Sequence, residues 1–532
     1  MNGYLIALIV FVAWIVLIYV LQRRKWFEKH SMSLMGPAVM WKTRKGRDFI
    51  DKMASAKRLW DFYGKLALWI CAGSMVTIMV LLLWEATIVS QVKQPPSPEL
   101  ILGIPGVNPV IPLGYGVLAL VIAIVVHELS HGILTRLAGL KIISLGLLFL
   151  VFPIGAFVEP DEKELQATTR TKRSKVYAVG PASNIILALV VLGLFSGVMM
   201  SSLEPKYEGA LAIGIVGDSP VSKAGLKPNS VIVSVDGMQV SNGPDMLDRV
   251  SPTPGSMVNV SYYYKGELGT AEVVDGLVVA YAARDFAAYD AGLESGMVIT
   301  VLNGTVIGNF DALADAMDLC RPSQVVNVTV MSYYGSSGTF QVNHSISQMT
   351  LSDKWEYYDR YDPSANEQSY RGVAYMGAGF LNLGIDARNV TYYSRVLANP
   401  FQGDRNIDDF SRSWLRLIAL PFLDLAPVHS PVTDLYKVSG SGAWLGDTGF
   451  WLISNSLYWV FWLNLMVGLT NVLPMVPLDG GYIFKDAFDY LVSRFSKVMS
   501  KENRDRVVGN VMLFLSLFVF GLILWQIVGP AL

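Results

Sequence analysis

His127-Glu128-Leu129-Ser130-His131, near the first quarter of the chain, carry residue types and a spacing suited to metal-assisted hydrolysis. On a helix, positions four apart share a face, so His127 and His131 can offer two imidazole nitrogens to one metal ion while Glu128 points close by. Two neutral imidazoles suit Zn²⁺ in an open site, where the metal acidifies a bound water and the carboxylate takes its proton. The motif lies inside the apolar run Leu113 to Leu137. Ionisable groups at that depth in a membrane helix are costly and mark function. The chain has five His, and this motif uses two of them.

A catalytic zinc wants three protein ligands and one open position for water. The third must be a His or a carboxylate that the chain can bring to the same side of the membrane. His30 lies in a basic loop, and His344 and His429 lie in regions read below as extracytoplasmic. Glu85 stands near the outer end of its span, and Asp447 precedes the fifth span. Asp479 follows Asn471-Val472-Leu473-Pro474-Met475-Val476-Pro477-Leu478, where two prolines interrupt a helix at membrane depth. That makes Asp479 the expected third ligand.

The elements that hold these residues are membrane elements. Over 532 residues, a hydrophobic fraction of 52% and a mean hydropathy of +0.41 exceed what an ordinary soluble enzyme carries. The chain reads as a polytopic α-helical membrane protein with about six spans, a re-entrant β-hairpin and two inserted α+β domains. With 42 basic and 43 acidic residues, nothing in its charge points to nucleic acid. Two cysteines, Cys71 and Cys320, make neither a disulfide framework nor a CxxC metal site.

The first apolar run, Tyr4 to Leu21, has no preceding basic residue and no A-x-A cleavage site, so it is expected to be a retained anchor. The basic stretch Arg23 to Lys65 follows and is assigned to the cytoplasm by the positive-inside rule. Residues 1–65 thus form an anchor and a basic loop. Spans at Leu66 to Val89, Leu113 to Leu137 and Val176 to Met200 then alternate, which puts HELSH in the cytoplasmic half, roughly 20 Å from the outer helix end. Between the last two, Ile142 to Val158 is apolar but broken by Gly146, Pro153 and Gly155. A poor span is one reading; a re-entrant hairpin shielded by protein is the better one. Gly180-Pro181-Ala182-Ser183-Asn184 stands near the inner end of the fourth span. An Asn there must hydrogen-bond either a neighbouring helix or a bound peptide backbone.

From about Pro205 the composition turns β-rich and repeats. Ala224-Gly225-Leu226 with Val231 to Gly237 matches Ala291-Gly292-Leu293 with Val298 to Gly304, and Val258-Asn259-Val260 recurs at Val326-Asn327-Val328. Two copies of a small domain are expected at 205–270 and 273–346. Their A-G-L-x-x-x-x-V-I-x-V-x-x-G pattern resembles PDZ domains, which implies capture of extended peptides or C-termini by strand addition. Residues 351–449 are polar and irregular, include the apolar stretch Trp414 to Leu425, and carry no functional reading. Asn-x-Ser/Thr triplets at Asn259, Asn303, Asn327, Asn343 and Asn389 all fall between the fourth and fifth spans, in agreement with an extracytoplasmic location. The fifth span, Phe450 to Leu473, and the sixth, Val507 to Val528, complete the membrane core at 450–532.

Taken together, H-E-x-x-H at His127 to His131, G-P-x-x-N at Gly180 to Asn184 and N-x-x-P…P-L-D-G-G at Asn471 to Gly481 resemble the site-2 protease family of intramembrane zinc metalloproteases. The resemblance implies His127, His131 and Asp479 as ligands of one Zn²⁺ and Glu128 as general base. It also implies that Asn184, Pro153, Gly155 and Asn471 contact a substrate held as an extended strand. Single-pass membrane protein substrates, peptide ligands for the PDZ-like pair and a cell-membrane location with the site towards the cytoplasm are further implications. Val476 stands where a proline is frequent in the family, which bears only on the shape of that loop. Two rival functions remain open at this point: a non-catalytic membrane adaptor with a structural metal, and a membrane-bound metalloprotease that cuts outside the bilayer.

Overall fold

The computed structural model describes residues 3–30, 32–43, 46–89, 97–101, 103–150, 152–248, 253–334, 339–403, 406–495 and 499–531. The chain forms two compact units. One comprises Met1–Gly197, Asp404–Pro427 and Leu452–Leu532, and the other Val198–Gly403 and Val428–Trp451.

The first unit opens with α1 (Gly3–Arg23), followed by β1 (Met32–Met35), β2 (Ala38–Thr43), α2 (Arg47–Ala54) and the long α3 (Lys57–Ile88). Next come α4 (Leu113–Leu137), β3 (Ile142–Leu150), β4 (Phe152–Pro160) and α5 (Arg170–Leu194). α4 begins after the extended Pro112 and ends in a Schellman motif. Gly139, at φ +83°, donates to the Arg136 carbonyl, and Leu140 donates to that of Thr135. That turn sends the chain straight into β3.

Residues 142–160 form a hairpin of two nine-residue strands rather than a span. The hairpin is larger than the sequence suggests, because β1 and β2 in the basic loop extend it to a four-stranded sheet of order β1-β2-β3-β4. β2 joins β3 from Val39 opposite Phe149 to Thr43 opposite Leu145. β4 is the free edge of this sheet and packs along α4.

In the second unit, β5 (Ala210–Ile215), β6 (Val231–Val235), α6 (Gly243–Asp248), β7 (Met257–Tyr264) and β8 (Glu267–Val274) build one sheet. A second sheet is built by β9 (Leu277–Ala282), β10 (Val298–Leu302), α7 (Phe310–Asp318), β11 (Val325–Tyr334) and β12 (Thr339–Thr350). Both take their last strand from further on: β13 (Ala378–Asn382) and β14 (Ile385–Asn389) are separated only by Leu383 and Gly384. The sheet orders are β8-β7-β6-β5-β14 and β12-β11-β10-β9-β13, the same arrangement twice. The pairing is antiparallel, Ile385 opposite Ile215 in one sheet and Leu277 opposite Asn382 in the other. Asn382 Oδ1 accepts from the Phe310 N–H at the start of α7, and Asn389 Oδ1 accepts from the Gly243 N–H at the start of α6. Residues 378–389, which have no assigned role in the sequence, therefore complete both sheets and reach beyond the ranges 205–270 and 273–346.

Returning to the first unit, α8 (Ile407–Ala419) contains the start of the Trp414 to Leu425 stretch and packs on α9 (Gly446–Asn471). Tyr458 Oη donates to the Leu417 carbonyl at 2.7 Å, and Trp462 Nε1 to that of Ile418 at 3.0 Å. α9 stops at Asn471, ahead of the proline loop, and α10 (Asp479–Phe495) and α11 (Lys501–Val528) follow. Among the described residues, five helical segments are long and apolar enough to cross a membrane: Lys57–Ile88, Leu113–Leu137, Arg170–Ser202, Gly440–Asn471 and Lys501–Val528. The sequence expectation of about six spans includes α1, whose apolar segment Ile9–Arg23 is shorter than these five. α3 and α11 expose large apolar residues, among them Trp69, Val76, Leu513 and Phe514, as helices bordering lipid do.

Charged pairs hold neighbouring helix ends together. Arg173 Nε donates to Asp486 Oδ2 at 3.0 Å, and Ser174 Oγ donates to the same oxygen at 3.1 Å. Arg170 and Arg504 both pair with Asp489, at 2.7 and 2.9 Å. The start of α5 is thereby tied to α10 and α11.

Candidate active site and metal centre

α4 presents His127 and His131 one turn apart on the face that meets α5, and α10 delivers Asp479 as its first residue. His127 Nε2 and His131 Nε2 lie 3.1 Å apart. Asp479 Oδ2 is 3.1 Å from the first and 3.2 Å from the second. Among the described residues these three form the one cluster of His, Cys, Asp or Glu with ligand atoms close enough to share an ion. Zinc–nitrogen and zinc–oxygen bonds of about 2.0–2.1 Å in tetrahedral geometry put neighbouring donor atoms about 3.3 Å apart. The observed triangle matches one face of that tetrahedron, and two imidazoles with one carboxylate are a donor set zinc accepts.

The backbone around the triangle leaves room for it. A Cβ on Gly180 of α5 would fall 2.4 Å from His131 Nε2 and 2.8 Å from His127 Nε2, so only glycine keeps the space beside the ligand atoms open. Gly480 and Gly481 act likewise for Asp479. A Cβ on Gly480 would meet the Val472 carbonyl at 2.2 Å, and one on Gly481 would meet Met475 at 2.6 Å. α10 thus begins pressed against the proline loop, which fixes the direction of its first side chain.

α5 also governs the imidazoles from behind. His131 Nδ1 is 2.6 Å from the Val176 carbonyl. A carbonyl only accepts, so Nδ1 carries the hydrogen and Nε2 is bare for a metal. Asn184, fully buried, places its amide 3.3 Å from His127 Nδ1. Beside it, a chain of hydroxyls joins three helices: Tyr63 Oη lies 2.8 Å from Ser183 Oγ, which lies 2.7 Å from Ser130 Oγ, and Ser130 donates to the Val126 carbonyl at 2.7 Å.

Glu128, next to His127 on α4, reaches the edge of the sheet. Its Oε2 accepts from the Val158 N–H of β4 at 2.9 Å. Val158 lies opposite Leu145 of β3, and its N–H points out of the free edge to reach α4. Further along that edge, Gly155 and Ala156 face Val121, Ile124 and Val125 across a narrow apolar cleft that Leu147 also lines. At the far end of α4, Arg136 Nη2 donates to Asp51 Oδ2 at 2.9 Å, and this guanidinium holds the Asp51 carboxyl below its ordinary range. Ile50 meanwhile packs where a Cβ on Gly132 would stand.

The structure therefore brings His127, His131 and Asp479 together, sets Glu128 beside them on the sheet edge, and places Asn184 on His127. Pro153 lies in β4 opposite Phe149, and Gly155 lies opposite Leu148. Asn471 ends α9, where its Nδ2 donates to the Val467 carbonyl of its own helix at 3.0 Å. The sequence motif contains Gly180 without giving it a role, and neither the Val176 carbonyl nor the Tyr63–Ser183–Ser130 chain is visible in it. The i, i+4, i+8 spacing of Val176, Gly180 and Asn184 is the signal that could have found the first two.

Comparison with known proteins places this arrangement. The family model described as Peptidase family M50 matches residues 115–519. An uncharacterised protein of Methanocaldococcus jannaschii is 30% identical over 158 residues, covering 29% of this chain and 42% of that protein. The zinc metalloprotease RasP of Shouchella clausii is 30% identical over 117 residues, 21% of this chain and 26% of RasP. The membrane-bound transcription factor site-2 protease homolog of Arabidopsis thaliana is 28% identical over 138 residues, 26% of this chain and 27% of its own length. The chain spans less than half the length of each of these relatives. With a family match that takes in HELSH, the Gly180 to Asn184 motif and the Asp479 loop alike, the chain belongs to peptidase family M50, the site-2 protease family.

Proposed function

We propose that this protein is an intramembrane zinc endopeptidase that hydrolyses peptide bonds in or near the transmembrane segments of membrane-anchored substrates. One observation carries the reading: the ligand helix α4, and α5 packed behind it, are both long and apolar enough to cross a membrane, and the donor atoms converge between them. A bound zinc would polarise the scissile carbonyl and acidify the attacking water. Glu128 would take the proton of that water and pass it to the leaving amine. The Val158 N–H would hold that carboxylate in place on the sheet edge.

A transmembrane helix hides its carbonyls in its own hydrogen bonds, so the substrate must unwind before cleavage. The free edge of β4, with Pro153, Gly155 and Ala156, offers replacement hydrogen bonds by strand addition, and Asn471 stands at the end of the ligand loop. The cleft beside Gly155 is narrow, so a strand bound there would move β4 away from α4. The basic surplus of residues 23–65 supports an orientation with the site towards the cytoplasm and the second unit outside. The A-G-L patterns support assigning the two sheets of that unit to PDZ-like capture of extended peptides.

Glu128→Gln tests the reading on a membrane-anchored substrate: cleavage must fall to background while zinc stays bound. Equal cleavage by the variant and the native protein refutes it. Mapping the cut then separates this mechanism from a membrane-bound protease acting on soluble segments, for which every cut would lie well outside the apolar stretch.

A further inference from the structure

We propose that Asn184 is a positioning residue for zinc, fixing the tautomer and ring orientation of His127 through its side-chain oxygen rather than touching the substrate. The inference rests on the zinc site described above. Three facts carry it. Asn184 has no exposed surface, so it offers nothing for a substrate backbone to reach. As placed, its Nδ2 faces His127 Nδ1 at 3.3 Å while its Oδ1 is buried without a hydrogen-bond partner. The second histidine, His131, has its Nδ1–H held by the carbonyl of Val176, eight residues before Asn184 on α5.

These facts resolve together if the Asn184 amide is turned by half a rotation, an assignment that coordinates leave to the hydrogen-bond network. Oδ1 then accepts from His127 Nδ1–H, the orphaned acceptor gains its partner, and the bare Nε2 is directed at the metal. With the amide as placed, Nδ2 donates to a bare Nδ1, which forces the hydrogen onto Nε2, the atom that must bind zinc. Val176, Gly180 and Asn184 then act as one device on one face of α5. The two outer positions each accept an Nδ1–H, and the middle one leaves space for both Nε2 atoms. The hydroxyl chain through Ser183 locks the helix turn that carries Asn184 against α3 and α4. An acceptor behind a zinc-bound imidazole is worth about 10–100-fold in metal affinity.

The test compares Asn184→Asp, which keeps the acceptor and loses the donor, with Asn184→Leu, which keeps the volume and loses both. Zinc affinity is measured on the full-length detergent-solubilised protein by chelator competition. Asp is expected to bind zinc at least as tightly as the native protein, and Leu about 10–100-fold more weakly. Nitrogen-15 histidine spectra supply a readout independent of turnover and of a Leu variant that folds poorly. His127 should carry its hydrogen on Nδ1 in the native protein and in Asn184→Asp. Loss of zinc binding in Asn184→Asp, or a His127 hydrogen on Nε2 in the native protein, overturns the proposal. So does unchanged zinc affinity in Asn184→Leu. Because no arm uses cleavage, a failed proposal is distinguishable from a failed protease assignment, which Glu128→Gln decides.

Discussion

Gly180→Ala sets two physical effects against each other. In the interior of a helix, alanine is favoured over glycine by about 0.5–1 kcal/mol, so the substitution should leave folding intact or improve it. At the site it should be ruinous. The new Cβ would stand 2.4 Å from His131 Nε2 and 2.8 Å from both His127 Nε2 and His131 Cε1. Non-bonded atoms of this kind settle at about 3.5–4.0 Å, so the His131 ring must retreat by about 1 Å. The ring has little freedom to do so, because its Nδ1 is tied at 2.6 Å to the carbonyl of Val176, which lies one turn before Gly180 on α5. Zinc distances tolerate about 0.2 Å. The expected loss is therefore at least about 100-fold in zinc affinity, or about 2.7 kcal/mol, with turnover falling by about 10² or more. Dialysis against graded chelator, followed by zinc analysis and a thermal melt of the same samples, reads both effects. A variant that keeps zinc at the native chelator midpoint and cleaves at the native rate would refute the role given to Gly180.

Other substitutions address other parts of the assembly. Asp479→Ala should abolish stoichiometric zinc in metal analysis while the thermal midpoint of the metal-free protein moves little. Val158→Pro removes the N–H that holds Glu128 but no ladder hydrogen bond, since that group points out of a free edge, where proline is tolerated. Cleavage should fall by about 10² with zinc content unchanged, and undiminished cleavage would release Glu128 from this contact. Arg173→Ala strands the buried Asp486 carboxylate and should cost about 3–5 kcal/mol in unfolding measurements, with much of that recovered in the double variant Arg173→Ala, Asp486→Ala.

The candidate site was largely legible because each of its three donor residues sits in a local pattern. HELSH reveals its own geometry through the helical period, and the prolines before Asp479 reveal a broken helix aimed at something. Gly180 is different: its meaning lies in the two imidazoles across the helix interface, which no spacing within its own motif displays. The hairpin at residues 142–160 could be read from its breakers, but its extension by β1 and β2 could not. Met32 to Thr43 lie in a loop notable for its charge, and their partner strand is a hundred residues further on. Residues 378–389 were opaque for the same reason. AGFLN and IDARN are short and mildly polar, and each becomes a strand only against an edge built much earlier in the chain.

The two consecutive strands at 378–389 also impose an order of assembly. Ile385 must find Ile215 and Asn382 must find Leu277, so neither sheet can close until synthesis has passed residue 389. At about 5–20 residues per second, β5 waits roughly 10–30 s with one side unpaired. β9 waits for the same event. Two similar bare edges open at once are templates for pairing with each other or with a neighbouring chain. One two-residue turn, Leu383-Gly384, ends both vacancies together. Deletions there should be felt first as misassembly during biogenesis, well before any effect on catalysis.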